Sequence, residues 1–159
     1  MAAKTYTGKA LTPAPKVVVG GVTLVKGTDY TVSYKNNTNA GTATAVITGK
    51  GSYTGTVNKT FKINKAKNTL TVKSKTATVK YSKVKKAKQT IALKKVLAVS
   101  KAKGTVTYTK SSGNSKITVN KKTGKVTVKK GLKKGTYSVK VKVKAAGTAN
   151  YNALTKTVT

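Results

Sequence analysis

The 159-residue chain carries 34 lysines, no arginine, one acid (Asp29), no histidine, no cysteine and no tryptophan, for a formal net charge of +33. Catalytic acids, bases and nucleophiles come mostly from His, Cys and paired carboxylates, and metal sites from Cys, His or grouped Asp and Glu. The composition therefore argues against an enzyme, a cofactor or metal site and a small-molecule substrate, and it rules out disulfides.

Leu, Ile, Val and Phe together make up 33 residues, just above the level at which a highly charged chain is expected to be disordered. The pattern decides the matter, because the apolar period is 2 over many short runs. A disordered polycation has no reason to keep such a register. We expect a folded, all-β chain. No run of apolar residues is long enough for a membrane-spanning helix, and Met1-Ala2-Ala3 does not resemble a targeting sequence. The carboxyl end, Thr155 to Thr159, stops in mid-pattern, so we expect a fragment of a longer chain.

In chain order, Lys16–Val19 and Val22–Val25 flank Gly20-Gly21, the signature of a two-residue hairpin turn. Tyr30, Val32 and Tyr34 alternate with Thr31 and Ser33. Ala43, Ala45 and Ile47 alternate with Thr42, Thr44 and Thr48. Val57, Phe61 and Ile63 share a face, with Lys59 the exception at an expected sheet edge. No helix of ordinary length is predicted. Residues 87–102 mix both periods through Ile91, Leu93, Val96, Leu97 and Val99, and are read as β. Ile117–Asn120 and Lys125–Lys129 flank a turn at Lys121 to Gly124. The clearest strand is Tyr137, Val139, Val141 and Val143 alternating with Ser138, Lys140, Lys142 and Lys144, one apolar and one cationic face. Thr (29) and Val (21) dominate, as pleated, half-buried surfaces prefer.

The charge is uneven. Residues 1–64 hold 8 Lys and Asp29, whereas residues 65–159 hold 26 Lys and no acid. A domain boundary is expected at Asn64 to Asn68, giving a moderately basic domain 1–64 and a lysine-rich domain 65–159 whose last strand is cut short. A weak internal similarity agrees. Gly41-Thr42, a strand, then Gly51, Tyr53 and Phe61 are matched by Gly135-Thr136, a strand, then Gly147, Tyr151 and Val158.

The segment KGTDYTVSYKNNTNAGTATAVITGKGSYTG (26–55) resembles the immunoglobulin-like repeats of surface and secreted proteins of Gram-positive bacteria. The segment KKTGKVTVKKGLKKGTYSVKVKVKAAGTANY (121–151) is similar to a lysine-rich module found beside such repeats. The resemblance implies two small immunoglobulin-like β-sandwich domains in tandem, an extracellular or cell-surface location for the parent protein, and a stalk or adhesion role. It carries over no functional residues.

The candidate functional residues are lysines set in rows and clusters: Lys73 and Lys75; Lys83, Lys85, Lys86 and Lys88; Lys94 and Lys95; Lys101 and Lys103; Lys121, Lys122 and Lys125; Lys129, Lys130, Lys133 and Lys134; and Lys140, Lys142 and Lys144. Alternate strand residues stand about 7 Å apart, roughly every second phosphate of a nucleic-acid strand. A field this large attracts polyanions: teichoic acid-like wall polymers, sulfated glycans, DNA or RNA, or an anionic membrane surface. The bland alternative is a solvated face that only keeps the chain soluble. Arg reads phosphate and guanine through a bidentate fork, while Lys is a mobile point charge. Lysine alone thus predicts diffuse, salt-sensitive association without sequence preference, and a monomer is expected. Two other readings stand beside this one: a sequence-independent nucleic-acid-binding protein, and a cationic cell-penetrating or delivery scaffold.

Eight tyrosines offer rings on which bases stack, but Tyr30, Tyr34 and Tyr137 fall on apolar strand faces, and Tyr53 and Tyr151 at matching turns, where packing is expected. Asp29 reads as a turn acceptor for backbone N–H groups rather than a crosslinking partner.

Overall fold

A computed structural model describes residues 1–159. The chain is all-β, with 43% strand, 6% helix and several small sheets. It divides into two compact units, Met1–Ala66 with Ala149–Tyr151, and Lys67–Thr148 with Asn152–Thr159.

The first unit contains β1 (Lys4–Thr5), β2 (Val18–Val19), β3 (Val22–Thr23), β4 (Tyr30–Lys35), β5 (Gly41–Gly49) and β6 (Thr56–Asn64). β1, β6, β5 and β4 form one sheet in that order, and β2 and β3 form a separate hairpin. The hairpin closes through Gly20 and Gly21 at φ of +55° and +84°. A type I′ turn requires positive φ at both central residues, which glycine adopts without steric penalty. In the main sheet, Tyr34 faces Ala45 across the β4–β5 ladder, and Phe61 faces Ala43 across β5–β6. The two rings meet edge-on, 6.4 Å between centroids. They flank the central strand, where alanines leave room for them, and both alanines are fully buried.

The chain before β2 is held against β4. Tyr34 donates its hydroxyl to the Pro13 carbonyl at 2.8 Å and Tyr30 donates to that of Pro15 at 3.2 Å. β1 pairs only with the end of β6, at Ile63 and Asn64. The first half of β6 is therefore an open edge, and there Lys59 and Val57, on the face that buries Phe61 and Ile63, are exposed.

The second unit contains β7 (Thr71–Ser74), α1 (Tyr81–Lys86), β8 (Gln89–Ile91), α2 (Leu93–Val96), β9 (Leu97–Ser100), β10 (Val106–Ser112), β11 (Ile117–Val119), β12 (Val126–Val128), β13 (Lys140–Ala145) and β14 (Leu154–Val158). Its sheets run β10-β13-β14, β11-β12-β8 and β7-β9. One cluster gathers Leu70, Leu97, Tyr108, Val141, Val143 and Ala145, and a second gathers Val84, Ile117, Val128 and Leu132. Val139 packs against both.

Two local expectations change. Residues 87–102 are not continuous β: the helical turn α2 sits between β8 and β9. Leu93 and Val96, three apart, share its inward face and pack on the first cluster, which is why the stretch mixes both periods. The strand expected from Tyr137 begins at Lys140. The ladder to β10 slips between Lys110 and Ser112, and Gly113 then brings its backbone close to Ser138 and Val139. A Cβ at Gly113 would lie 2.7 Å from the Ser138 carbonyl oxygen. Tyr137 and Val139 keep their inward direction but have no ladder partner.

Candidate functional site

On β13, Lys140, Lys142 and Lys144 are exposed, while Val141, Val143 and Ala145 are buried. β13 is the central strand, so both flanks of its outer face are set by register. Thr109 and Thr157 stand opposite Lys142, and Thr107 and Thr155 opposite Lys144. The face thus presents two Thr–Lys–Thr rungs about 7 Å apart along strands about 4.8 Å apart. Thr109, Thr155 and Thr157 are exposed and Thr107 is half-buried. Lys142 and Lys144 are each flanked across the ladders by two threonines, whose hydroxyls can donate to an oxyanion. Lys140, opposite Ser112, extends the row. The second unit contains no acid, so nothing in it competes for this row.

The remaining candidate lysines are dispersed. Lys73 is exposed on β7. Lys83, Lys85 and Lys86 lie on α1, with Lys88 just beyond, and the Lys85 ammonium is 5.7 Å from the centroid of the exposed Tyr81 ring. Lys94 and Lys95 sit on α2. Lys101, Lys103, Lys121, Lys122, Lys125, Lys129, Lys130, Lys133 and Lys134 are exposed in turns and strand flanks. Of this set, only the β13 residues form a straight row on one sheet face.

A distinct class of lysine acts within the fold. Lys110 Nζ donates to the Asn114 and Ile117 carbonyls at 2.5 and 2.8 Å, and Lys116 Nζ to the Gly131 carbonyl at 2.9 Å. Lys50 Nζ donates to the Gly27 carbonyl at 2.8 Å, and Lys75 Nζ to the Lys94 carbonyl at 3.3 Å. In a chain with one carboxylate, backbone carbonyls take the place of acidic partners. Of these, Lys75 belongs to the candidate set, and its ammonium is partly committed to a turn.

Most of the tyrosines serve packing, whereas Tyr81 is exposed. Tyr30 and Tyr108 are buried, Tyr34 is half-buried, and the Tyr137 hydroxyl donates to the Lys133 carbonyl at 2.8 Å. Tyr151 meets Tyr6 edge-on at 5.4 Å within the first unit. Burial pushes the phenols of Tyr34 and Tyr108 above the ordinary tyrosine value, and the neighbouring Tyr30 adds to the effect at Tyr34. Asp29 Oδ2 accepts the Val25 N–H at 2.7 Å, the turn role expected of it.

The flanking threonines are what sequence reasoning missed. Val106-Thr107-Tyr108-Thr109 and Thr155-Lys156-Thr157 do show alternation. Their place beside the lysine row depends on pairings distant in sequence.

Comparison with protein families, curated proteins and solved structures finds no match to the chain.

Proposed function

We propose that this chain is a non-enzymatic, supercharged tandem module of the immunoglobulin-like surface-repeat type, a stalk or adhesion segment that holds anionic polymers through lysine rows. The single observation that carries the reading is the outer face of β13, with its lysine row between threonine rows and no acid in its unit. Mixed-sign surfaces keep proteins soluble with a net charge of about 2–8, so +33 exceeds what solubility needs. Arginine's absence supports recognition of charge density rather than sequence.

The test is retention of the full chain on immobilised heparin, duplex DNA and neutral dextran at low ionic strength. Retention on both anionic polymers and none on dextran is the expected result. Equal retention on all three, or on none, contradicts the reading. Retention on DNA alone would favour a dedicated nucleic-acid-binding protein.

A further inference from the structure

The β2–β3 hairpin gathers most of the exposed large hydrophobic side chains. Val18, Val19, Val22 and Val25 are between 48% and 59% exposed. Lys16 and Lys26 bracket nine residues, Val17 to Val25, that carry no charge and one polar side chain, Thr23. The base of the hairpin is fixed. The Leu24 N–H donates to the Val17 carbonyl at 2.9 Å, Leu24 is buried, and Asp29 Oδ2 accepts the Val25 N–H. Beyond that base β2 and β3 pair only with each other. Gly20 and Gly21 close the tip without side chains, and a Cβ at either would meet nothing within 4 Å. The tip therefore projects about 10 Å past the Val17–Leu24 pair, at ~3.4 Å per strand residue.

Both faces of this projection are apolar. Val19 lies opposite Val22, and Val18 opposite Thr23. Strand alternation puts Val19 and Val22 on the face of the buried Leu24, and Val18 and Val25 on the other. A protein partner seated on one face leaves the valines of the other in water, whereas a lipid interface surrounds the tip on every side. The charge agrees. Lys16 and Lys26 are exposed at the base, and the chain's one acid, Asp29, is tied to the Val25 N–H. Lysine stems lie along apolar surface while their ammonium groups stay at the polar level. The outer edges of β2 and β3 are unpaired, and backbone of that kind needs water, which limits the depth. Interfacial elements bury about 5–10 Å into the headgroup–acyl boundary, the reach of this tip.

We infer that the β2–β3 hairpin inserts its valine tip into the interface of an anionic lipid bilayer, with Lys16 and Lys26 at the headgroups. The inference deepens the polyanion reading and rests on it for the long-range attraction that brings the chain to the surface. A short apolar anchor alone gives marginal membrane binding, and a basic surface beside it supplies the second signal.

The experiment uses the full chain with vesicles of phosphatidylcholine, with and without about 30% phosphatidylserine. Because the chain has no tryptophan, Val19→Trp places a single reporter at the tip, and Val57→Trp places one at an exposed valine of β6 as a control. With phosphatidylserine present, Val19→Trp emission is expected to move to shorter wavelength and to be quenched by brominated acyl chains, while Val57→Trp emission stays unchanged. The double variant Val19→Ser, Val22→Ser is expected to lose about tenfold or more in vesicle affinity, since it removes exposed apolar surface that the bilayer would bury, and to keep its retention on heparin. Vesicle binding with unchanged Val19→Trp emission, or with equal responses from both reporters, overturns the inference and leaves adsorption through lysine alone. Emission already shifted without vesicles, and dependent on protein concentration, would assign the hairpin to a protein surface and overturn it. Heparin retention without vesicle binding overturns the inference and leaves the polyanion reading standing, and loss of both overturns both.

Discussion

The ring of Tyr34 meets that of Phe61 edge-on, 6.4 Å between centroids, although their strands are not neighbours. β5 lies between them, and it contributes Ala45 opposite Tyr34 and Ala43 opposite Phe61. The contact depends on small side chains on the central strand. Ala45→Leu is expected to destabilise the first unit by about 1–3 kcal/mol through overpacking, read by urea or thermal denaturation. Phe61→Ala is expected to cost more, about 3–5 kcal/mol, through the cavity it leaves. A neutral Ala45→Leu would mean that the rings do not close over β5.

Tyr34 gives the fold an alkaline limit. Its phenol is held above the ordinary value by burial first and by Tyr30 second. The folded value therefore exceeds the unfolded one, so the contribution is intact below a pH of about 10 and is lost as pH rises through the raised value. Tyr34→Phe removes the hydrogen bond to the Pro13 carbonyl and the ionisable group together. At pH 7 the variant is expected to be less stable by about 1 kcal/mol. Above the raised value the gap should narrow, because only the wild-type chain must keep a phenol protonated. Denaturation midpoints of both proteins from pH 7 to 11 check this, and a gap that widens contradicts it.

Salt should act unequally on the two units. The second unit holds most of the lysines and no acid, so its charges repel without internal compensation. Raising ionic strength from about 0.01 M to about 1 M shortens the screening length from about 30 Å to about 3 Å. Hydrogen exchange in the intact chain should then slow more at Val141 and Val143 than at Phe61 and Ile63. The intact chain is the right object, because Ala149–Tyr151 belongs with the first unit and one cut would remove it. Equal slowing at both sites would contradict the account.

Lysines of the two classes should separate by variant. Lys110 holds the Asn114 carbonyl of the turn after β10 and the Ile117 carbonyl at the start of β11. Lys110→Met should lower stability by about 1.5–3 kcal/mol, since charged hydrogen bonds are lost, with polyanion binding reduced only by one charge. Lys142→Thr, on the open face of β13, should leave stability within about 0.5 kcal/mol or raise it. Denaturation and heparin retention on each variant check the contrast, and a reversed order contradicts it.

Much of the architecture was legible because a period of two survives wherever one sheet face is buried. The alternations around Tyr30, Ala43 and Val141 all became strands with the expected inward residues. Gly20-Gly21 made its hairpin because both residues take, without steric penalty, the positive φ that a type I′ turn needs. Local pattern failed where tertiary context decided. α1 has one buried anchor, Val84, in a run of lysines, too little to mark a helical face. β13 starts only at Lys140 because pairing, not alternation, defines a strand, and the ladder to β10 slips between Lys110 and Ser112. Of the β13 site, the lysine row followed from alternation alone. The threonine rows did not, because pairing Thr109 and Thr157 with Lys142 takes contacts distant in the sequence.

The central claim is that lysine rows read the amount and spacing of negative charge and not its chemical context. It is tested most directly by fluorescence anisotropy of the wild-type chain and a Lys140→Thr, Lys142→Thr, Lys144→Thr variant with two duplexes of unrelated sequence across a salt series. The account predicts equal affinity for both duplexes and a steep linear fall of log affinity with log salt. It also predicts a slope that becomes shallower by about 0.9 for each phosphate contact the variant loses. A tenfold preference for one duplex, a flat salt response, or an unchanged slope in the variant would contradict it.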